Sequence, residues 1–229
     1  MKDPVLPSTR TLAREPGTRP YTTVHVMRHG EVFNPTGVLY GRLPGFHLSE
    51  AGHGMARTAA GWFDQHRPIT HLVASPLQRA QETAAPIGEA LGLDTATDDR
   101  LIEAGNQFEG QTFGVGDGAL KHPANWWRLR NPFTPSWGEP YQEIAARMLG
   151  AVHTARDAAR GSAAVCVSHQ LPIWTLRLTV EGRSYLHDPR KRQCGLASVT
   201  SLTWAGDELV RVDYAEPAGP AGKGAVGGA

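Results

Sequence analysis

Three short stretches of the chain concentrate side chains able to handle an anion. Arg28-His29-Gly30 follows a β-rich run at Thr22 to Met27, Ser75-Pro76 and then Arg79 follow His71 to Ala74, and Ser168-His169 follows Ala163 to Val167. Guanidinium groups offer planar, permanently charged sets of donors, and imidazole is both a nucleophile and a proton carrier near neutral pH. Two arginines and two histidines brought together, beside helix N-termini with free amides, make a small pocket suited to a phosphate dianion.

The elements that must position these residues alternate between strand and helix. In an open α/β sheet ligands bind beyond the carboxyl ends of the strands, which is where each of the three stretches falls. Ser49 caps a helical segment with Met55, Ala59, Trp62 and Phe63 on one face. A second helix is expected from Leu77 to Leu91, with Pro86 kinking it or ending it early because proline lacks the amide hydrogen. A third starts near Tyr141, turns Ile144, Met148, Val152 and Ala155 inward and stops at Gly161; a fourth follows Pro172. Ala197 to Trp204 and Glu208 to Tyr214 read as a hairpin at the sheet edge, joined through Ala205, Gly206 and Asp207. The fold class expected is α/β.

Composition narrows the possibilities. With 229 residues, 40% hydrophobic and 20% charged, one globular domain over 21–216 is expected. Residues 1–20 and 217–229 read as disordered tails, and 111–140, with Trp126, Trp127, Arg128, Arg130 and Trp137 close together, as a lid-like insertion. A net charge of +1 and a pI near 7.9 give no general attraction to nucleic acid or acidic membranes. No apolar run approaches the roughly 18 residues of a membrane span, and two cysteines, Cys166 and Cys194, make neither a disulfide framework nor a zinc pattern. A soluble protein of the reducing cytoplasm is expected, its oligomeric state open. His25 and His29 share one strand face about 13 Å apart, too far for joint metal ligation. His47, His53, His66, His71, His122, His153 and His187 have no motif around them and read as surface or loop residues.

Arg28-His29-Gly30-Glu31 after its Val-rich strand resembles the signature of the histidine phosphatase superfamily, the phosphoglycerate-mutase-like proteins of branch 1. Further stretches are similar to that family's motifs in the same order: Gly41-Arg42, Leu48-Ser49-Glu50-Ala51-Gly52, Ser75 to Ala84 around Arg79, Leu101-Ile102-Glu103 with Phe108-Glu109-Gly110, Gly138-Glu139 and Val167-Ser168-His169. The resemblance spans roughly residues 22 to 204 and implies a three-layer sandwich with a mostly parallel central sheet flanked by helices. It implies His29 as nucleophile, Arg28, Arg79 and a protonated His169 around the phosphoryl oxygens, and Glu103 as general acid, with Glu109 the rival. Asn34, Gly41 and Gln170 would contact substrate. Asn34 lies one residue closer to His29 than the family's asparagine, and the loop from Glu103 to Gly110 is one residue shorter.

The chemistry so implied is phosphoryl transfer through a phosphohistidine with neither metal nor cofactor, because guanidinium and imidazolium groups neutralise the charge. Glu103 would need a raised pKa to protonate the departing alkoxide. The substrate expected is a small phosphorylated metabolite. A phosphomonoesterase is favoured over a mutase because Ala104-Gly105-Asn106 lacks the aromatic residue common in phosphoglycerate mutases, and Trp127-Arg128-Leu129 replaces their paired arginines. A non-catalytic phospho-ligand binder is the third possibility, against which the retention of Glu103 argues.

Overall fold

Alternation along β1 (Tyr21–Arg28) sets the layering: Val24 and Val26 enter one apolar cluster and Met27 the other. Side chains on a strand point to opposite faces with a period of two, so a strand this deeply buried needs cover on both sides. A computed structural model describes residues 20–66, 68–112 and 138–219. In it α1 (Glu50–Gln65) and α2 (Gln78–Leu91) cover the Met27 face through Ala59, Phe63, Ala84 and Ile87. α3 (Tyr141–Ala158) and α4 (Gln170–Val180) cover the other through Ile144, Met148, Val152, Ile173 and Leu176. The expected α/β sandwich of three layers is the architecture found.

The sheet has six strands. β2 (Ile69–Ala74), β3 (Thr95–Thr97) and β4 (Ala163–Ser168) run parallel with β1, β5 (Val199–Ala205) pairs antiparallel with β1 and β6 (Glu208–Ala215) antiparallel with β5, in the order β3-β2-β4-β1-β5-β6. Register decides what meets at the edge: Arg28 lies opposite Ser168, and Ala74 opposite Val167. The carboxyl ends of β1, β2 and β4 therefore finish level, and the residues that follow them share one rim.

Local chemistry explains most boundaries. Ser49 accepts from the Gly52 amide at 3.0 Å and so caps α1. α2 ends at Gly92, whose φ of +67° suits glycine. Pro86 does not end α2; the helix runs on to Leu91. One helical bond is lost there, but Ile87 and Leu91 are buried, and burying each such side chain contributes roughly 1.5–3 kcal/mol. α3 stops at Ala158, and Gly161 sits in the following turn with φ +77°. α4 starts at Gln170, which puts Pro172 within its first turn rather than before it. β3 was not expected: three residues, Thr-Ala-Thr, carry too little alternation to read as a strand.

Cys166 and Cys194 are free and buried. Among the described residues no helix is long and apolar enough to cross a membrane, and no three His, Cys, Asp or Glu side chains cluster to hold a metal ion. At the C-terminal end the Gly219 amide bonds Glu216 and Ala218 packs against the α1/α2 cluster, so residues 217–219 are part of the fold. Most of the N- and C-terminal tails, and most of the 111–140 insertion with its three tryptophans, Arg128, Arg130 and His122, lie outside the described residues.

Candidate active site

His29 leaves β1 at the level rim and is fully buried. Its Nδ1 lies 2.7 Å from the Gly30 carbonyl, so Nδ1 carries the hydrogen; Nε2, left with its lone pair, accepts from Arg79 Nε at 3.3 Å. Burial, then the charges of Arg79 and Arg28, hold its pKa well below the ordinary value, with the Gly30 carbonyl opposing. The ring is neutral and a nucleophile. Gly30 lets the backbones close up here: a Cβ on it would meet the Gly52 carbonyl at 2.7 Å, and one on Gly52 would collide with that of Glu31. From behind, the amide of Ala197, in the left-handed region at φ +54°, donates to the His29 carbonyl.

Arg79, in the first turn of α2, donates from Nη2 to the Gly41 carbonyl at 2.6 Å and lies 4.7 Å over the ring of Tyr40. Arg28 donates from Nη1 to the Cys194 carbonyl at 2.8 Å, while its Nε is buried without a partner among the described residues. His169 caps the start of α4 without a side-chain bond to the helix amides, and α2 likewise starts uncapped, so both helices offer amides to an anion. The rings of His29 and His169 are 5.1 Å apart. His169 Nε2 is 2.7 Å from Ser75 Oγ, and its Nδ1 is buried with no partner.

His169 was expected to be protonated. Burial, then Arg79, His29 and Arg28, lower its pKa well below the ordinary value. An anion beside the ring would offset that repulsion and favour the charged form.

Glu103 is buried; Oε1 accepts from the Ala104 amide at 2.8 Å, and Oε2 has no hydrogen-bond partner among the described residues. Burial raises its pKa, against the Ala104 amide and then Arg79, Arg28 and Arg192. A carboxyl with a raised pKa and one free oxygen can hold and release a proton. Glu109 is engaged differently, accepting from the amides of Arg42 at 3.0 Å and Asn106 at 3.3 Å, which ties two loops together.

The remaining expected residues divide. Gly41 reaches the cluster through its carbonyl on Arg79, and its φ of +39°, with Glu109 against the space of a Cβ, leaves room for no side chain. Gln170 opens α4, its Nε2 3.3 Å from the Cys194 carbonyl that also takes Arg28. The Asn34 amide spans Val38, donating at 2.8 Å and accepting at 3.0 Å, which closes its own loop.

Several residues escaped the sequence reading. Ser75 stood inside a motif without a role, yet it orients His169. Glu139 accepts from Arg42 at 2.7 Å and from Arg147 at 2.7 Å; Arg147 donates to the carbonyls of Arg100 and Ile102, and Arg42 to that of Glu103. This network fixes the backbone that carries Glu103. Arg192, from the loop before β5, acts electrostatically on Glu103 and had no motif to mark it.

Residues 24–216 match the sequence profile of the histidine phosphatase superfamily, branch 1. Uncharacterized protein Rv0525 of Mycobacterium tuberculosis (strain ATCC 25618 / H37Rv) is 60% identical over 197 residues, 86% of this chain and 97% of that protein. The native structure of mycobacterial glucosyl-3-phosphoglycerate phosphatase Rv2419c superposes with a TM-score of 0.63 at 27% identity, over 85% of this chain and 97% of that one. Phosphoglycerate mutase from Bacillus anthracis str. Sterne, at 20% identity and TM-score 0.65 over 84% and 92%, shares the fold. With a family match across nearly all of the sandwich and its rim, this chain belongs to the histidine phosphatase superfamily.

Proposed function

We propose that the protein is a metal-independent phosphomonoesterase that acts on a small phosphorylated metabolite through a phosphohistidine at His29. The observation that carries this reading is the pairing, in one buried site, of a neutral imidazole with a fixed Nε2 lone pair and a carboxyl group whose burial favours the protonated form.

His29 Nε2 attacks phosphorus in line; the N–P bond forms as the P–O bond to the alcohol breaks, and Glu103 gives its proton to the departing oxygen. Water then attacks the phosphohistidine, Glu103 takes back a proton, and cleavage of the N–P bond returns neutral His29 with inorganic phosphate. Arg28 and Arg79 hold the phosphoryl oxygens throughout, and His169 becomes charged as the dianion enters. Gly41 and Gln170 border the pocket, the first through its carbonyl on Arg79 and the second beside the Cys194 carbonyl that takes Arg28. General acid catalysis supplies about 10²- to 10⁴-fold, whereas phosphate monoesters need accelerations up to ~10²¹; the fixed cations carry most of the difference.

The test is phosphate release, in EDTA, from a panel of phosphorylated sugars, nucleotides and glycerates by wild type and His29→Ala. Release that the substitution abolishes supports the phosphatase; no release, with phosphoglycerate isomerised once a bisphosphorylated primer is added, points to a mutase instead.

A further inference from the structure

The two edges of the sheet are finished differently. β3 is three residues long, and the Gln81 side chain reaches its Thr97 hydroxyl at 3.3 Å; an edge this short offers another strand little to pair with. β6 is eight residues long and, among the described residues, pairs only with β5. At about 3.4 Å per residue it presents an edge of roughly 27 Å, lined on its outer side by backbone donors and acceptors.

Proteins blunt such edges with a bulge or with charge. β6 has both, yet neither closes it. The register against β5 shifts between Thr203 and Trp204, near the start of β6, and leaves Arg211 to Ala215 in regular pairing. The charges are Arg211 and Asp213, with side chains 67% and 50% exposed, two residues apart on one face and bridged at 2.7 Å. A lone charge on an edge repels the same charge on an identical edge. This pair is complementary to itself: when a second copy lies antiparallel with Val212 on the twofold axis, each Arg211 stands directly opposite the other chain's Asp213. Val210, 48% exposed, then comes opposite Tyr214, a β-branched side chain against an aromatic one. An axis on Arg211 or on Asp213 would instead set like charges face to face, so the charges select one register.

We propose that β6 is a self-association edge, through which two copies of this chain pair antiparallel about Val212 and join their sheets. Arg211 lies opposite Thr203, and Thr203 opposite Thr23 at the start of β1, whereas Arg28 ends that strand. The contact is therefore at the far end of the sheet from the rim that carries His29, and pairing leaves the active site open. The inference is independent of the phosphatase reading.

Sedimentation velocity on the full chain across the micromolar range tests it. The wild type is expected to dimerise. Arg211→Asp puts two carboxylates on each edge and Asp213→Arg two guanidinium groups, so each variant alone should bind itself about tenfold more weakly or worse. Mixed in equal amounts the two variants should form dimers again, because every crossing then joins an arginine to an aspartate. Circular dichroism and phosphate release, both expected to match the wild type, report that each variant is folded. A wild type that stays monomeric overturns the proposal. So does a dimer that neither substitution weakens, which would belong to another surface, or a mixture that fails to associate.

Discussion

Two clusters of charge sit a few residues apart and are built on opposite rules. Around Glu139, every guanidinium has a carboxylate: Arg42 and Arg147 pair with it, and the remaining donors go to backbone carbonyls. Around His29, Arg28 and Arg79 form no ion pair among the described residues, and the two histidines beside them are held toward the neutral form by burial and by those charges. The first arrangement satisfies itself and holds a loop still. The second leaves positive charge unbalanced in a buried place, a cost that folding tolerates and that a dianion relieves.

Removing a cation should therefore have opposite consequences in the two clusters. Arg79→Ala or Arg28→Ala is expected to lower kcat/KM by about 10³-fold or more, with urea midpoints little changed, because buried charge repulsion is relieved as hydrogen bonds are lost. A large fall in stability with modest loss of activity would break the comparison.

Glu103→Gln is expected next, with kcat down about 10²- to 10⁴-fold on alkyl phosphates. The loss should be far smaller on p-nitrophenyl phosphate, whose leaving group departs without a proton. Equal losses on both substrates would deny Glu103 the role of acid.

Acid separates the clusters too. Burial lowers the pKa of His25, on the strand below, to about 4, and those of His29 and His169 fall well below the ordinary value. A histidine shifted this way binds fewer protons folded than unfolded, so its stability contribution is full above pH 6.5 and falls as the pH drops. His25 alone should cost about 3 kcal/mol between pH 6.5 and 4. Urea unfolding across that range checks the slope, which His25→Gln should reduce; a flat profile in the wild type would contradict it. The smallest effect is expected at Glu139→Gln: about 1–3 kcal/mol of stability, with the remaining activity still dependent on His29 and Glu103.

Much of the uncompensated cluster was legible in the sequence because it is local. Arg28 closes β1, His29 and His169 come straight after β1 and β4, and Arg79 opens the helix after β2; strand ends can be read from short β-rich runs. The self-satisfied cluster was legible only in part: Gly41-Arg42 and Gly138-Glu139 stood out as family-like motifs, but the pairing of Arg42 and Arg147 with Glu139 exists only once the chain has folded. Arg192 escaped for a related reason: its neutral partners carry no pattern. Pro86 misled because one lost hydrogen bond weighs less than the buried face of α2, and the Asn34 amide had a nearer partner in Val38.

The central claim is that His29 carries the phosphoryl group. The direct measurement is peptide mass spectrometry on enzyme quenched in alkali during turnover of a hydrolysed substrate. The account predicts one phosphoryl group on the His29 peptide, stable in alkali and lost in acid, and none in His29→Ala. Turnover with no phosphoryl group on His29, or turnover that survives His29→Ala, would contradict it.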